Sequence, residues 1–468
     1  MKVRIAIASA ALIAPALLGA VGCSSSDDEA DPQTDAGAPL PDADAGAAPD
    51  TGVVADAGAD APPPFDPTLE PVTCASEPCV VEIAASSGQH ICARRSDGSV
   101  GCWGEGADGQ LGADPTAPTP DGGAPFGTRP VVVSDLPPAA AIALGGTGYT
   151  NNGTGPGTWG LNGNTCALVK DGSVHCWGKA GPAFEGVTRT DRWVPARMAF
   201  PPATHVALGN GIVCVLDAAG VPVCSGAPDN RDVLVPSSAN TRGPRSIATG
   251  GGPCVKLAGS ARNVFCVEES GVVYAWGFGR SLFPGEVQGD VEPSLIGRLS
   301  SLESAPPAPI PGLANVTSIS APWSTACVVS NGVVFCWGRS DRGQLGTGGL
   351  VYQMEPQPIG VVFHDPVKQV SAGYSVTCAV TASGGVYCWG DNERGQLAEP
   401  PSVLRSPDAL KVKDLPPMVQ VAVMEQTVCA LAKTGEVWCW GANDKGQLAR
   451  GTRDNDAHPD PRAVTWAP

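Results

Sequence analysis

Positive charge is scarce in this sequence, with 29 Lys and Arg standing against 46 Asp and Glu among 468 residues. No stretch gathers enough of either base to make a nucleic-acid face. Histidine is rarer still: His90, His175, His205, His364 and His458 are scattered without the spacing of metal ligands. No nucleophile motif, phosphate loop or carboxylate pair stands out, so the residues give no support for catalysis and imply no cofactor and no metal. Helical periodicity is almost absent, which leaves an all-β fold.

What is abundant is unevenly spread. Residues 24 to 70 hold 12 acids and no base, so the charge of the remainder is ordinary for a soluble domain. This stretch has almost no large apolar residue before Phe65, and cannot bury enough surface to offset the entropy of ordering. It reads as a disordered Asp/Ala/Pro-rich tether, and its acids lack the spacing of a calcium loop. Ahead of it, Lys2 and Arg4 precede a small and apolar run from Ile5 to Gly22 that stops at Cys23, the pattern of a secretory signal. Ala20-Val21-Gly22-Cys23 resembles the lipobox of bacterial lipoproteins, with Ala20 where Leu is usual. That resemblance implies a diacylated Cys23 after cleavage of residues 1–22. Ser24 behind it implies sorting to the outer membrane, on its periplasmic or its external side. The expected membrane contact is through this lipid alone.

The chain has 17 cysteines, and an exported chain must pair them. Cys74 and Cys79 lie close together. Fourteen others fall into pairs: Cys92 with Cys102, Cys166 with Cys176, Cys214 with Cys224, Cys254 with Cys266, Cys327 with Cys336, Cys378 with Cys388, and Cys429 with Cys439. One pattern recurs around them, as in CALVKDGSVHCWG (166–178) and CALAKTGEVWCWG (429–441). In five pairs a three-residue loop ends on Gly98, Gly172, Gly220, Gly384 or Gly435, where such a hairpin needs a left-handed residue. The pair of Cys327 and Cys336 is one residue closer and turns on Asn331-Gly332, the preferred two-residue turn. Either loop sets the two cysteines directly opposite, with Cα atoms about 4.5–5.5 Å apart and within disulfide reach. Each bridge contributes about 2–3 kcal/mol. The pair of Cys254 and Cys266 is irregular. Cys266 opens CVEESGVVYAWG, itself repeat-like with Ala275 in the second Cys place, so the hairpin there is expected to be shifted and Cys254 to close an insertion.

Strand-like runs precede each hairpin, such as THVALG (204–209) and VKQVSAG (367–373), and another follows each Trp-Gly. Four short strands repeated seven times are what a propeller needs, and radial closure protects their edges. The strings GCWGEGADGQLG (101–112), FCWGRSDRGQLG (335–346), YCWGDNERGQLA (387–398) and WCWGANDKGQLA (438–449) resemble the repeat of the regulator of chromosome condensation family. The resemblance implies a seven-bladed propeller of four-stranded antiparallel blades over 71–468. Blades 2 to 4 are looser, with Ser225 in place of Trp and no Gly-Gln-Leu turn. Nucleotide exchange on a GTPase, the best-known activity of the family, belongs inside cells. Secreted bacterial members include an inhibitor of β-lactamases, so the resemblance favours binding.

Trp103, Trp177, Trp276, Trp337, Trp389 and Trp440 recur at one register and are expected to pack between blades. Asp97 and Asp171 occupy hairpin turns and form them. The loops between second and third strands and those after Trp-Gly are expected on one face, carrying the insertions 145–164, 179–194 and 277–312. Tyr149, Trp159, Arg189, Arg192, Trp193, Phe278, Arg280, Trp323, Arg339, Tyr374 and Arg394 would decorate it, the composition of an interaction surface. The expected function is a monomeric, lipid-anchored binding module for a protein or envelope component. The alternatives are a polysaccharide hydrolase or lyase and an inhibitor of a secreted enzyme.

Overall fold

Turn glycines decide where each blade folds back. Gly98, Gly172, Gly220, Gly384 and Gly435 all have φ between 74° and 89°, and Asn331 and Gly332 are both left-handed at 50° and 78°. These are the conformations the two loop lengths require. In the computed structural model, residues 71–466 are described except 87, 115–125, 147–162, 179–192, 210, 227–242, 261, 280–294, 303, 361, 362 and 364. The signal, Cys23 and the tether lie outside the described residues.

Seven four-stranded antiparallel sheets follow in chain order, at 80–132, 139–197, 203–246, 254–309, 316–358, 367–411 and 418–463. The first strand of every blade touches the first strands of both neighbours, the seventh blade meeting the first, which places these strands around a central channel in a closed ring. The core lies between blades rather than inside one. Seven apolar clusters each straddle one of the seven junctions.

Six hairpins carry a cystine between directly opposed residues of their second and third strands. Cys92 is bonded to Cys102, Cys166 to Cys176, Cys214 to Cys224, Cys327 to Cys336, Cys378 to Cys388 and Cys429 to Cys439. Their Cα atoms are 4.1 or 4.2 Å apart, which corrects the wider spacing expected of an opposed pair: the covalent bridge draws the two backbones together. All twelve are buried, so their part is in the scaffold. Cys74 and Cys79 are bonded ahead of the first blade.

Within a junction the parts recur. Cys378 and Cys388 of blade 6 pack against Trp440 of blade 7. The same arrangement joins Cys429 and Cys439 to Trp103, Cys92 and Cys102 to Trp177, Cys214 and Cys224 to Trp276, and Cys327 and Cys336 to Trp389. The bridge between Cys166 and Cys176 differs in its neighbour. Blade 3 has Ser225 in the Trp place, and Val213, Val215 and Met198 fill that junction instead. Each indole N–H needs an acceptor once buried. Trp103, Trp177, Trp389 and Trp440 donate to the carbonyls of Gln447, Gln110, Gln344 and Gln396, at 2.8 to 3.0 Å. These Gln residues belong to the Gly-Gln-Leu turn of the preceding blade, so that turn is the socket for the next Trp.

A belt of side chains ties the inner strands together around the channel. Glu82, Ala141, His205, Lys256, Ser318, Gln369 and Gln420 hold equivalent positions, and all but Ala141 reach the backbone of the next inner strand. Gln420 closes the ring by accepting from Ile83 N (2.9 Å) and donating to Ile83 O (2.8 Å). Gln369 does the same to Val421. The segments that lead into and out of the propeller add a reciprocal clasp at this closure. Thr73 and Ala75 donate to the hairpin turn of blade 7, while Trp466 packs edge-on against Trp103 of blade 1 at 6.1 Å.

Blade 4 resolves the irregular cysteine pair. Phe265 pairs with Ala275 at the register that Cys pairs hold elsewhere, so Phe265, not Cys266, stands in the first Cys place. Cys266 bonds instead to Cys254 on the inner strand, with Cα atoms 5.7 Å apart. The seventh bridge is therefore within the blade but not across its hairpin. Phe265 fills the space of the missing bridge and meets Trp337 of blade 5 edge-on at 6.1 Å.

Candidate functional site

An up-and-down blade puts its first and third connections on one face and its second on the other. The tight Cys turns join the second to the third strand, so they and the long loops lie on opposite faces. Segment 145–164 joins a first to a second strand, whereas the segments after Trp-Gly join third to outer strands. The long-loop face is thus made by first and third connections, which corrects the expectation that loops between second and third strands contribute to it.

Three of the expected residues come together where blades 5 and 6 meet. Trp323 and Tyr374 occupy the first connections of these blades, and Arg339 begins the third connection of blade 5. Tyr374 lies against Trp323 with ring centroids 6.3 Å apart. The Arg339 guanidinium sits 5.2 Å from the Tyr374 ring centre, and its Nη1 donates to the Tyr374 hydroxyl at 2.8 Å. Asp341 fixes that guanidinium through two parallel bonds, from Nε at 2.7 Å and from Nη2 at 2.8 Å. Gln344 Nε2 braces Asp341 Oδ1 and the Tyr374 carbonyl, both at 3.3 Å. All three aromatic and cationic side chains are half-buried, with one side open to solvent.

The charges here are set by the pairing. Burial pushes the Asp341 carboxyl up, but the Arg339 hydrogen bonds and charge outweigh it and hold Asp341 below the usual carboxylate range. Tyr374 is raised by burial, with Arg339 opposing and Asp341 adding to the shift. Tyr374 therefore stays a phenol, and its proton points away from the oxygen lone pair that Arg339 occupies. A prepositioned Arg on an aromatic pair, with a hydroxyl ready to donate, loses little rotamer freedom on contact with a partner.

Other expected residues are placed elsewhere. Phe278 is a correction: it is 6% exposed, with the Arg262 guanidinium 3.7 Å above its ring, and belongs to the interior rather than the surface. Arg394 lies in the third connection of blade 6, and its Nη1 donates to Asn455 O of blade 7, so it serves a blade junction. Trp193 is half-buried ahead of the outer strand of blade 2. Tyr149, Trp159, Arg189, Arg192 and Arg280 lie outside the described residues. Asp341 was missed in the sequence, although WGRSDRGQLG places it two residues beyond Arg339. Missed too were Leu299, Leu302, Val351 and Leu404, each more than half exposed in the third connections of blades 4, 5 and 6. Only the ring geometry reveals that these aliphatics lie on the same face as the Trp323 group, in the third connections of three consecutive blades. On the channel side, Glu82 is the sole acid of the seven inner strands, and it is paired with Arg94 at 2.6 Å.

Two models of the regulator of chromosome condensation (RCC1) repeat match this chain, one at 331–380 and 434–467 and the other at 367–396 and 419–447. The molecule is thus a seven-bladed propeller containing RCC1 repeats. The ultraviolet-B receptor UVR8 of Arabidopsis thaliana is 25% identical over 390 residues, covering 80% of each chain. The human E3 ubiquitin-protein ligase HERC2 is 27% identical over 208 residues, which are 44% of this chain but 4% of that protein. Among solved structures, Prp20p of Saccharomyces cerevisiae superposes with a TM-score of 0.63 at 18% identity, covering 84% of this chain and 87% of that one. Human WBSCR16 gives 0.63 at 19% identity, covering 79% and 94%. At these identities the likeness of structure concerns the fold.

Proposed function

We propose that this protein is an exported, lipid-anchored binding module that engages a protein or envelope component through its loop face, centred on blades 5 and 6. The observation that carries the reading is the solvent-facing group of Trp323, Tyr374, Arg339 and Asp341, braced from within yet contributing to no blade junction core. Aromatic and Arg anchors on a face that also exposes aliphatics are the composition of an interaction surface. Among relatives of the fold, Prp20p is described by its binding to Gsp1p and histones, and a further structure has Kap60 bound to it. A protein partner is the use these descriptions favour. Anchoring rests on Cys23 behind its apolar run, and the acidic tether after it would hold the propeller off the membrane. A polysaccharide hydrolase or lyase would need paired carboxylates at the channel, where the inner strands offer Glu82 alone. An inhibitor of a secreted enzyme would use the same surface on a different partner.

Affinity capture after chemical cross-linking in the native envelope, with the full chain, tests this reading. The unaltered chain should retain a partner that Trp323→Ala and Arg339→Ala lose at least about tenfold, and Cys23→Ser should move the protein out of the membrane fraction. Equal capture by all the rim variants would refute the proposed surface, and a membrane-bound Cys23→Ser protein would refute the anchor.

A further inference from the structure

Of the eight bridges among the described residues, seven are sealed inside the blades, where none of their cysteines is more than 4% exposed. The eighth, between Cys74 and Cys79, is half-buried and open to solvent on one side. It also stands outside the blades, where the chain enters the propeller and blade 7 meets blade 1. Thiol–disulfide exchange requires a thiolate to reach one of the two sulfurs, so access ranks this bridge apart from the rest.

The bridge closes residues 74–79 into a loop that is fastened to both blades. On the blade 7 side, Thr73 N donates to Lys433 O at 2.7 Å and Ala75 N to Thr434 O at 3.3 Å. On the blade 1 side, Ser96 N donates to Cys79 O at 2.9 Å, and Ser96 Oγ donates to the Glu77 carboxylate. Both fastenings are made to tight hairpin turns. The blade 7 turn has a hollow for the bridge: a Cβ on Gly435 would lie 2.6 Å from Cys79 Sγ, so the sulfur seats where a side chain is missing. Residues 75–78 are exposed, and a loop held by a few exposed bonds opens readily once no crosslink restricts its open state.

We propose that the Cys74–Cys79 bridge is a redox latch, opened by an external dithiol ahead of the other seven bridges, and that its opening frees residues 74–79 from blades 7 and 1. A thiolate of the dithiol attacks one sulfur and forms a mixed disulfide. Its second thiol then displaces the protein sulfur, so the reductant leaves as a disulfide, and two electrons and two protons pass to Cys74 and Cys79. The ring stays shut, because Gln420 still bonds both backbone groups of Ile83 and Trp466 still packs on Trp103. A cut in the freed loop severs the propeller from the residues ahead of it. The latch lies on the tight-turn face and does not depend on the Trp323 group or on a partner.

Treatment of the folded full chain with dithiothreitol, followed by alkylation and peptide mapping, tests the inference. Cys74 and Cys79 should be labelled at least about tenfold faster than any other cysteine of a bridge. Cleavage within 74–79 by a protease of broad specificity should accelerate by at least about tenfold after this reduction. The near-ultraviolet circular dichroism of the buried tryptophans should be unchanged. The double variant Cys74→Ser with Cys79→Ser should be cleaved at the rate of the reduced parent, with or without dithiol. If that variant fails to fold, labelling and cleavage of the reduced parent decide alone. Reduction of another bridge at an equal or greater rate, cleavage unchanged by reduction, or cleavage of the folded double variant at the rate of the oxidised parent would overturn the proposal.

Discussion

Blades 4 and 6 come from one repeat, yet they close in different ways. In blade 6, Cys378 and Cys388 bridge the hairpin, Trp389 finds its acceptor on Gln344 of blade 5, and Gln369 makes two bonds to the backbone of blade 7. In blade 4, Phe265 and Ala275 stand where the bridge would be, the bridge has moved to Cys254 and Cys266, and Lys256 reaches blade 5 alone. The difference teaches that the hairpin cystine of this repeat has two separable duties. One is the crosslink. The other is a filled volume against which the Trp of the next blade packs, and an aromatic ring opposite an alanine performs that second duty without the first.

This contrast can be broken most severely at Phe265. Phe265→Ala leaves a void beneath Trp337 and should cost about 3–5 kcal/mol in denaturant unfolding. Phe265→Cys combined with Ala275→Cys should regain about 2–3 kcal/mol over the alanine variant, with a 265–275 bridge seen by non-reducing peptide mapping. If the alanine variant were as stable as the parent, the volume argument would fail.

A smaller effect should distinguish the junction of blades 1 and 2. His90 is fully buried there, with Nε2 2.9 Å from Thr165 Oγ1; that hydroxyl donates to Gln110 O, so it receives the His90 Nε2 proton. Burial lowers the pKa of His90 to about 3. Its folded pKa lies below its unfolded one, so the unfolded chain binds more protons between about pH 6 and pH 3. The neutral ring therefore contributes stability that is present above the unfolded pKa and lost as the pH falls. In His90→Gln the slope of unfolding free energy between about pH 6 and 4 should be shallower by about 1 kcal/mol per pH unit. The buried acids Glu82, Asp391 and Glu425, whose pKa values are raised by burial, titrate in both proteins and cancel from the difference. An unchanged slope would show that His90 titrates in the folded state.

Much of the blade was legible because its rules are local. A left-handed glycine at a fixed offset specifies the hairpin, and the hairpin specifies which cysteines face each other. Trp at one register in six blades is legible as packing for the same reason. Blade 4 was not, since one residue of offset between Phe265 and Cys266 decides which side chain lies opposite Ala275, and CVEESGVVYAWG reads equally well from either. The rim group required the ring: Trp323 and Tyr374 are 51 residues apart, but they hold corresponding connections of adjacent blades. Phe278 was assigned to the surface by its neighbourhood in sequence, whereas the third strand of blade 4 extends through it and carries it inside.

The most direct test of the account compares two tryptophans of blade 5. Trp337 is fully buried and donates to Leu295 O at 2.8 Å, while Trp323, fourteen residues earlier, stands on the rim. Unfolding of Trp337→Ala and Trp323→Ala should give losses of about 3–5 kcal/mol and under about 1 kcal/mol respectively. Equal losses would return Trp323 to the scaffold and contradict a surface kept for binding.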